Sequence, residues 1–277
     1  MSAIFRGSGR IGLAGWIGGA LAFAVIAVAA FGPWLAPYDP MALDLRARLS
    51  APYLDHLLGT GEFGRDILSR LIFGARVSIF VALSTVAVAL VIGVGFGVLT
   101  GFVRAWTDRI IGIFNDALLA FPGLLLALGV MAVAGASAGA MVLALGLAFA
   151  SAVLRVTRSA VLSQRAREFV EASRVMGNSE ALTMWRHVLP NALAPLIVLA
   201  TSMFGWVILA ESALSFLGLG VPPPAPSWGN MLAAARPYIQ DAPWLIVLPG
   251  LCIQATLLGV NLLGDALRDL LDPRMRT

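Results

Sequence analysis

The sequence predicts an all-α integral membrane protein with six transmembrane helices. Three observations lead there. Hydrophobic residues make up 59% of the 277 residues and charged residues only 12%, about half the charged share of a soluble domain. The apolar residues fall into separate blocks of about 20, the length that crosses a bilayer as a helix. A single charged island, residues 164–190, interrupts those blocks.

The spans are predicted at 13–35, 77–102, 110–133, 138–156, 191–217 and 244–263. Arg6 and Arg10 precede the first, and Ala27-Val28-Ala29 resembles a signal cleavage site. Its apolar run exceeds the usual h-region of about 7–15 residues, which favours an uncleaved anchor over a signal peptide. Residues 1–76 thus form an anchor helix with an external amphipathic segment, and 77–277 a five-helix core with a cytoplasmic loop at about 157–190. In the external segment, Gly59, Gly61 and Gly64 mark a turn, and residues 66–76 form an amphipathic helix feeding the second span. Gly93, Gly97 and Gly101, four apart, predict close helix packing in lipid. Gly135 and Gly139 fit a short turn. The prolines at 222, 223, 224 and 226 cannot continue the fifth span.

Arginine placement orients the chain. With the N-terminus inside, 13 arginines lie in inside segments and six outside. Five of those six share the external segment with Asp39, Asp44, Asp55, Glu62 and Asp66. Both termini and the island are therefore expected in the cytoplasm. Arginines beside apolar segments fit membrane orientation rather than nucleic-acid binding.

All 19 basic residues are arginine. A phosphate-binding P-loop needs a lysine, so any ATP hydrolysis belongs to another chain. The one cysteine, Cys252, forms no intrachain disulfide. His56 and His187 have no partner at metal-ligand spacing, and no metal or cofactor is expected. A Ser-His-acid site would need one of these histidines beside a serine nucleophile. Neither lies with the intramembrane serines, so no catalytic residue is assigned.

The island cannot lie in lipid, because each central charge costs about 2.5–3.5 kcal/mol there. Ala166, Phe169, Val170, Ser173 and Met176 fall on one helical face, with Arg167–Glu171 and Glu171–Arg174 spaced to pair on the other. Gly177 suits the left-handed position after a helix. Asn178 or Ser179 can cap a second helix, with Glu180 in its first turn and Ala181, Leu182, Trp185, Val188 and Leu189 on its apolar face. Pro190 suits the first turn of the next span. Such an elbow either packs on its own helices or is presented to a groove on a partner.

Glu171-Ala172-Ser173, then Gly177, then His187-Val188-Leu189-Pro190 resembles the EAA loop of binding-protein-dependent ABC importer permeases. Ser173 replaces the second alanine of that pattern, and His187 takes its isoleucine position. The segments 58–66, 211–220 with Ser227-Trp228-Gly229, and 261–274 are similar to peptide/nickel-type permeases, in particular the C-type member of the dipeptide/oligopeptide pair. The resemblance implies a multi-pass protein of a bacterial-type cytoplasmic (inner) membrane, with a second homologous permease as heterodimer partner. It also implies two cytoplasmic ATPase subunits and an external solute-binding protein. Carried over, Glu168, Glu171, Ala172, Ser173, Gly177, Leu189 and Pro190 belong to the ATPase-coupling loop.

Two carboxylates fall within the spans. Asp116 could pair with Arg104 or Arg109, or line a path; Glu211 could meet cargo or bond to a neighbouring helix. Three functions are weighed. The first, and the one adopted, is the permease subunit of an ATP-driven importer, forming half of the path for di- or oligopeptides delivered by an external binding protein, with nickel or another small solute as the alternative cargo. The second is an ion-gradient-driven transporter using Asp116 or Glu211. The third is a membrane scaffold without transport.

Overall fold

The computed structural model describes residues 12–103 and 106–271. Arg6, Arg10, Arg104, Asp272, Pro273, Arg274 and Arg276, on which parts of the charge argument rest, lie outside the described residues.

Helix α1 (Leu13–Leu35) is the predicted anchor. Helix α2 (Ile67–Val103) runs 37 residues without a break, so the amphipathic segment and the second span are one helix. Asp66 starts it, accepting hydrogen bonds at 2.7 Å from both the N–H and the Oγ of Ser69. The turn before it is built as expected, with Gly59 and Gly64 at φ +76° and +71°.

The third span is not the straight helix predicted at 110–133. It is α3 (Trp106–Ala120) followed by α4 (Gly123–Ala134), bent by 93°. The break falls at Phe121-Pro122. Proline disfavours the helical region for the residue before it and has no N–H to donate back. At 1.5 Å per residue, α4 is only about 18 Å long and cannot cross alone. Gly135, at φ +81°, ends α4.

Helix α5 (Ala138–Arg165) outlasts its predicted end by more than two turns. After the elbow, α9 (Leu193–Phe216) forms the fifth span, and α11 (Trp244–Leu271) the sixth, extending past 263 to carry Asp265, Arg268 and Asp269. Gly218, at φ +83°, stops α9 before the prolines are reached. The loop after α9 holds a helix that the sequence reading missed, α10 (Trp228–Ala235), started by a reciprocal Ser227/Asn230 capping box.

Helices α2 and α5 form the spine. A Cβ on Gly93 would lie 2.5 Å from Val153 Cβ, one on Gly97 2.5 Å from Thr157 Cβ, and one on Gly101 2.9 Å from Val161 Cβ. The glycine ladder therefore meets a second four-residue ladder on α5, and the packing role expected of it holds. Helices α1 and α11 approach as closely, through Gly18 against Leu262 and Gly259 against Leu21.

Candidate functional site: the elbow and the intramembrane carboxylates

The elbow is built from local rules. Helix α6 (Glu168–Val175) carries Glu168 and Glu171 in its first turn and Arg174 in its last, each favourable to the helix dipole. Gly177 takes φ +81°. Its N–H donates to Arg174 O at 2.9 Å and the Asn178 N–H to Ser173 O at 3.2 Å, which closes α6 with a Schellman motif. Ser179 caps α7 (Glu180–Thr183), accepting from the Leu182 N–H. A π turn, Met184–Val188, follows, and then α8 (Leu189–Asn191) with Pro190 in its first turn.

The expected Arg167–Glu171 and Glu171–Arg174 pairs are not the ones formed. Arg174 reaches across the turn to Glu180, its Nε at 2.8 Å and its second nitrogen at 3.1 Å. The bidentate fork ties α6 to α7, where a pair within α6 would only brace one short helix. Glu171 is left exposed.

The apolar faces divide in a way periodicity alone did not show. Val170 and Val188 are buried with Val98 and Phe102 of α2 and Val161 of α5. Ser173 is buried as well, sharing a 2.9 Å hydrogen bond with Thr183 and accepting one from the Asn178 amide at 3.1 Å. Ala166, Phe169 and Met176, expected on the same face, are exposed, as are Ala181, Leu182 and Trp185. Val175 (84% exposed), Met176 (73%) and Trp185 (61%) are apolar and exposed. Glu168, Glu171, Ala172 and Gly177 are exposed as well, while Leu189 is half-buried and Pro190 exposed at the root of the elbow.

Glu211 is buried to 1%. Its carboxylate accepts from three hydroxyls: Ser227 at 2.9 Å and Ser215 at 3.1 Å on one oxygen, Ser78 at 3.4 Å on the other. Ser78 in turn accepts the Trp228 N–H at 3.1 Å. One carboxylate thus joins α2, α9 and the start of α10. Asp116 does not pair with Arg109, and Arg104 lies outside the described residues. It bonds Arg155 of α5 at 3.1 Å. Next to it Arg158 grips Asp108 at 2.6 and 2.8 Å. His56, for which no metal-ligand role is expected, lies 2.9 Å from Asp66. None of these three contacts shows in sequence spacing, because each joins residues at least ten positions apart.

Residues 93–277 match the family described as binding-protein-dependent transport system inner membrane component. Residues 14–52 match the N-terminal transmembrane domain of oligopeptide transport permease C. The chain is 45% identical to the di/tripeptide transport system permease protein DppC of Pseudomonas aeruginosa, over 95% of this chain and 89% of that one. It is 40% identical to the dipeptide transport system permease protein DppC of Alkalihalophilus pseudofirmus, over 91% and 83%. It is 39% identical to the glutathione transport system permease protein GsiD of Escherichia coli, over 91% and 84%. Among solved structures, an inward-facing MetNI methionine ABC transporter shares the fold at 18% identity, with a TM-score of 0.58 over 73% of this chain and 96% of that one. With a family match that takes in the elbow, α9 and α11, and relatives aligned along nearly its whole length, the chain belongs to the binding-protein-dependent transport system inner membrane components.

Proposed function

We propose that this chain is one half of the translocation path of an ATP-driven importer of short peptides, and that its elbow seats in a separate ATPase subunit. One observation carries the reading. The elbow exposes Val175, Met176 and Trp185, while Val170 and Val188 are buried against the ends of α2 and α5. A partner gripping the exposed residues would move the spans through the buried ones. A ligand biases two states only through different affinities for them, so the ATPase must hold the elbow differently with and without ATP. Glu168, Glu171, Ala172, Ser173, Gly177, Leu189 and Pro190 make up the contact and its support.

The absence of lysine leaves this chain without a P-loop lysine and favours a transport subunit that is not itself an enzyme. The assembly proposed is a heterodimer with a second homologous permease, two ATPase subunits and an external binding protein. The arginine bias supports placing both termini and the elbow in the cytoplasm. Peptide cargo is favoured over nickel by relatives whose names specify dipeptide, di/tripeptide and glutathione transport.

The test is co-purification with uptake. A tagged chain should retain an ATPase, and Glu171→Arg should lower ATP-dependent peptide uptake at least tenfold at unchanged membrane level. A chain that never retains an ATPase, with uptake that follows an ion gradient and ignores ATP, would establish the secondary-transporter reading instead.

A further inference from the structure

The Asp116–Arg155 pair is exposed on this chain, with side-chain exposures of 73% and 63%. Its depth follows from the α2–α5 register. Gly93 meets Val153 and Gly97 meets Thr157, so Arg155 lies level with Gly95. From there to Phe102, where the apolar run of α2 ends, is seven residues, about 10 Å of helix. The pair therefore sits about two turns in from the end of that apolar run.

Ionised groups among apolar spans are costly against lipid and almost always face bundle interiors or water-filled paths. The wall around this pair mixes charged and apolar side chains. Asp108, Arg109, Asn115, Asp116, Arg155 and Arg158 line a cavity of about 700 Å³ between α3 and α5, with Trp106, Ile113 and Leu154 beside them. The two ion pairs in it differ. Arg158 and Asp108 are joined by two short bonds. Arg155 and Asp116 are joined by one bond of 3.1 Å.

Resting on the peptide-importer reading above, we infer that this cavity is the inner part of the cargo path and that Asp116 and Arg155 form a charged station for zwitterionic peptides. The Arg155 guanidinium takes the peptide carboxylate, and the Asp116 carboxylate takes the peptide ammonium. The exchange replaces one ion pair with two and leaves no net charge buried, so neither end of the cargo crosses the layer unpaired. The monodentate bond is the one that opens. The Asp108–Arg158 fork keeps α3 against α5 while it does.

The test uses inside-out vesicles carrying the assembled transporter in a Cys252→Ser background. Asp116→Cys and Arg155→Cys are treated with a charged, membrane-impermeant methanethiosulfonate. Gly112→Cys serves as a second cavity probe that leaves the pair intact; a side chain added there meets nothing within 4 Å. Phe96→Cys is the control, at the same level and on an exposed face of α2. The cavity positions should label at least tenfold faster than Phe96→Cys in at least one nucleotide state. A free dipeptide should slow labelling at Gly112→Cys, while the same dipeptide acetylated and amidated should not. Asp116→Asn and Arg155→Gln should each reduce dipeptide uptake at least tenfold at unchanged complex yield.

Cavity positions as unreactive as Phe96→Cys in every nucleotide state would overturn the proposal, since the pair would then be covered by protein or lipid. Equal protection by the free and the blocked dipeptide would overturn the charged station. If the wild-type transporter carries no peptide, the cargo reading falls and the station with it. Loss of protection in a transporter that does carry peptides overturns the station alone.

Discussion

The hydroxyl oxygens of Ser173 and Thr183 lie 2.9 Å apart in the buried seam between α6 and α7. Ser173 stands where the family pattern has alanine, and the structure gives the extra oxygen two partners, Thr183 and the Asn178 amide. The elbow is thereby fixed internally by a buried hydroxyl pair and, on its surface, by the Arg174–Glu180 fork.

Ser173→Ala should therefore destabilise the elbow although it restores the family residue. The Thr183 hydroxyl would be left buried without its partner, at a cost of about 1–3 kcal/mol. Thr183→Val in the same chain should recover much of that loss, because removing both members of a buried polar pair is nearly neutral. A double-mutant cycle, read from protease cleavage at the elbow in detergent, would measure the coupling.

Gly177 has open space around it, so its requirement is conformational. Gly177→Val at φ +81° should cost about 1–2 kcal/mol from backbone strain alone. Gly177→Asn should cost less, since asparagine visits the left-handed region. Peptide uptake should fall more for valine than for asparagine, with assembled complex recovered in both cases.

On the spine, Gly97→Ala places a methyl 2.5 Å from Thr157 Cβ and 2.8 Å from the Leu154 carbonyl. Neither can yield without separating α2 from α5, and overpacking of this kind costs about 1–3 kcal/mol. Gly95→Ala, on an open face of the same helix, should not lower the melting temperature, since alanine favours a helix interior over glycine. Thermal unfolding of the two variants in one detergent decides the matter.

Glu211 predicts a different failure. Glu211→Leu strands the three hydroxyls of Ser78, Ser215 and Ser227 in a buried site and releases the start of α10. With an unsatisfied buried polar group costing about 1–3 kcal/mol, the variant should assemble poorly. Glu211→Gln, which keeps an acceptor oxygen, should assemble better. The yield of monodisperse complex on a sizing column reports both.

The features legible in the sequence were those fixed by local chemistry. Gly177 ends α6 because only a residue without Cβ takes that φ freely, and Ser179 caps α7 because its hydroxyl reaches back to an N–H three residues on. The bend at Pro122 was also local and was overlooked, because the apolar run continues across it and hydropathy does not register a missing N–H. The Ser227/Asn230 box that starts α10 was likewise written in four residues, but it was hidden in a loop read for its prolines.

By itself, the sequence determined how many apolar blocks the chain has, that an exposed two-part elbow stands between the fourth and fifth, and that Gly93, Gly97 and Gly101 share one face. All of these depend on neighbours within a turn or on the cost of placing charge in lipid. Only the tertiary structure decided that this face meets Val153, Thr157 and Val161, that Asp116 pairs with Arg155 rather than Arg109, and that three hydroxyls from different segments converge on Glu211. Those partners are separated by up to 133 positions along the chain. Helical periodicity says which side of a helix a residue occupies, but only packing says what stands opposite.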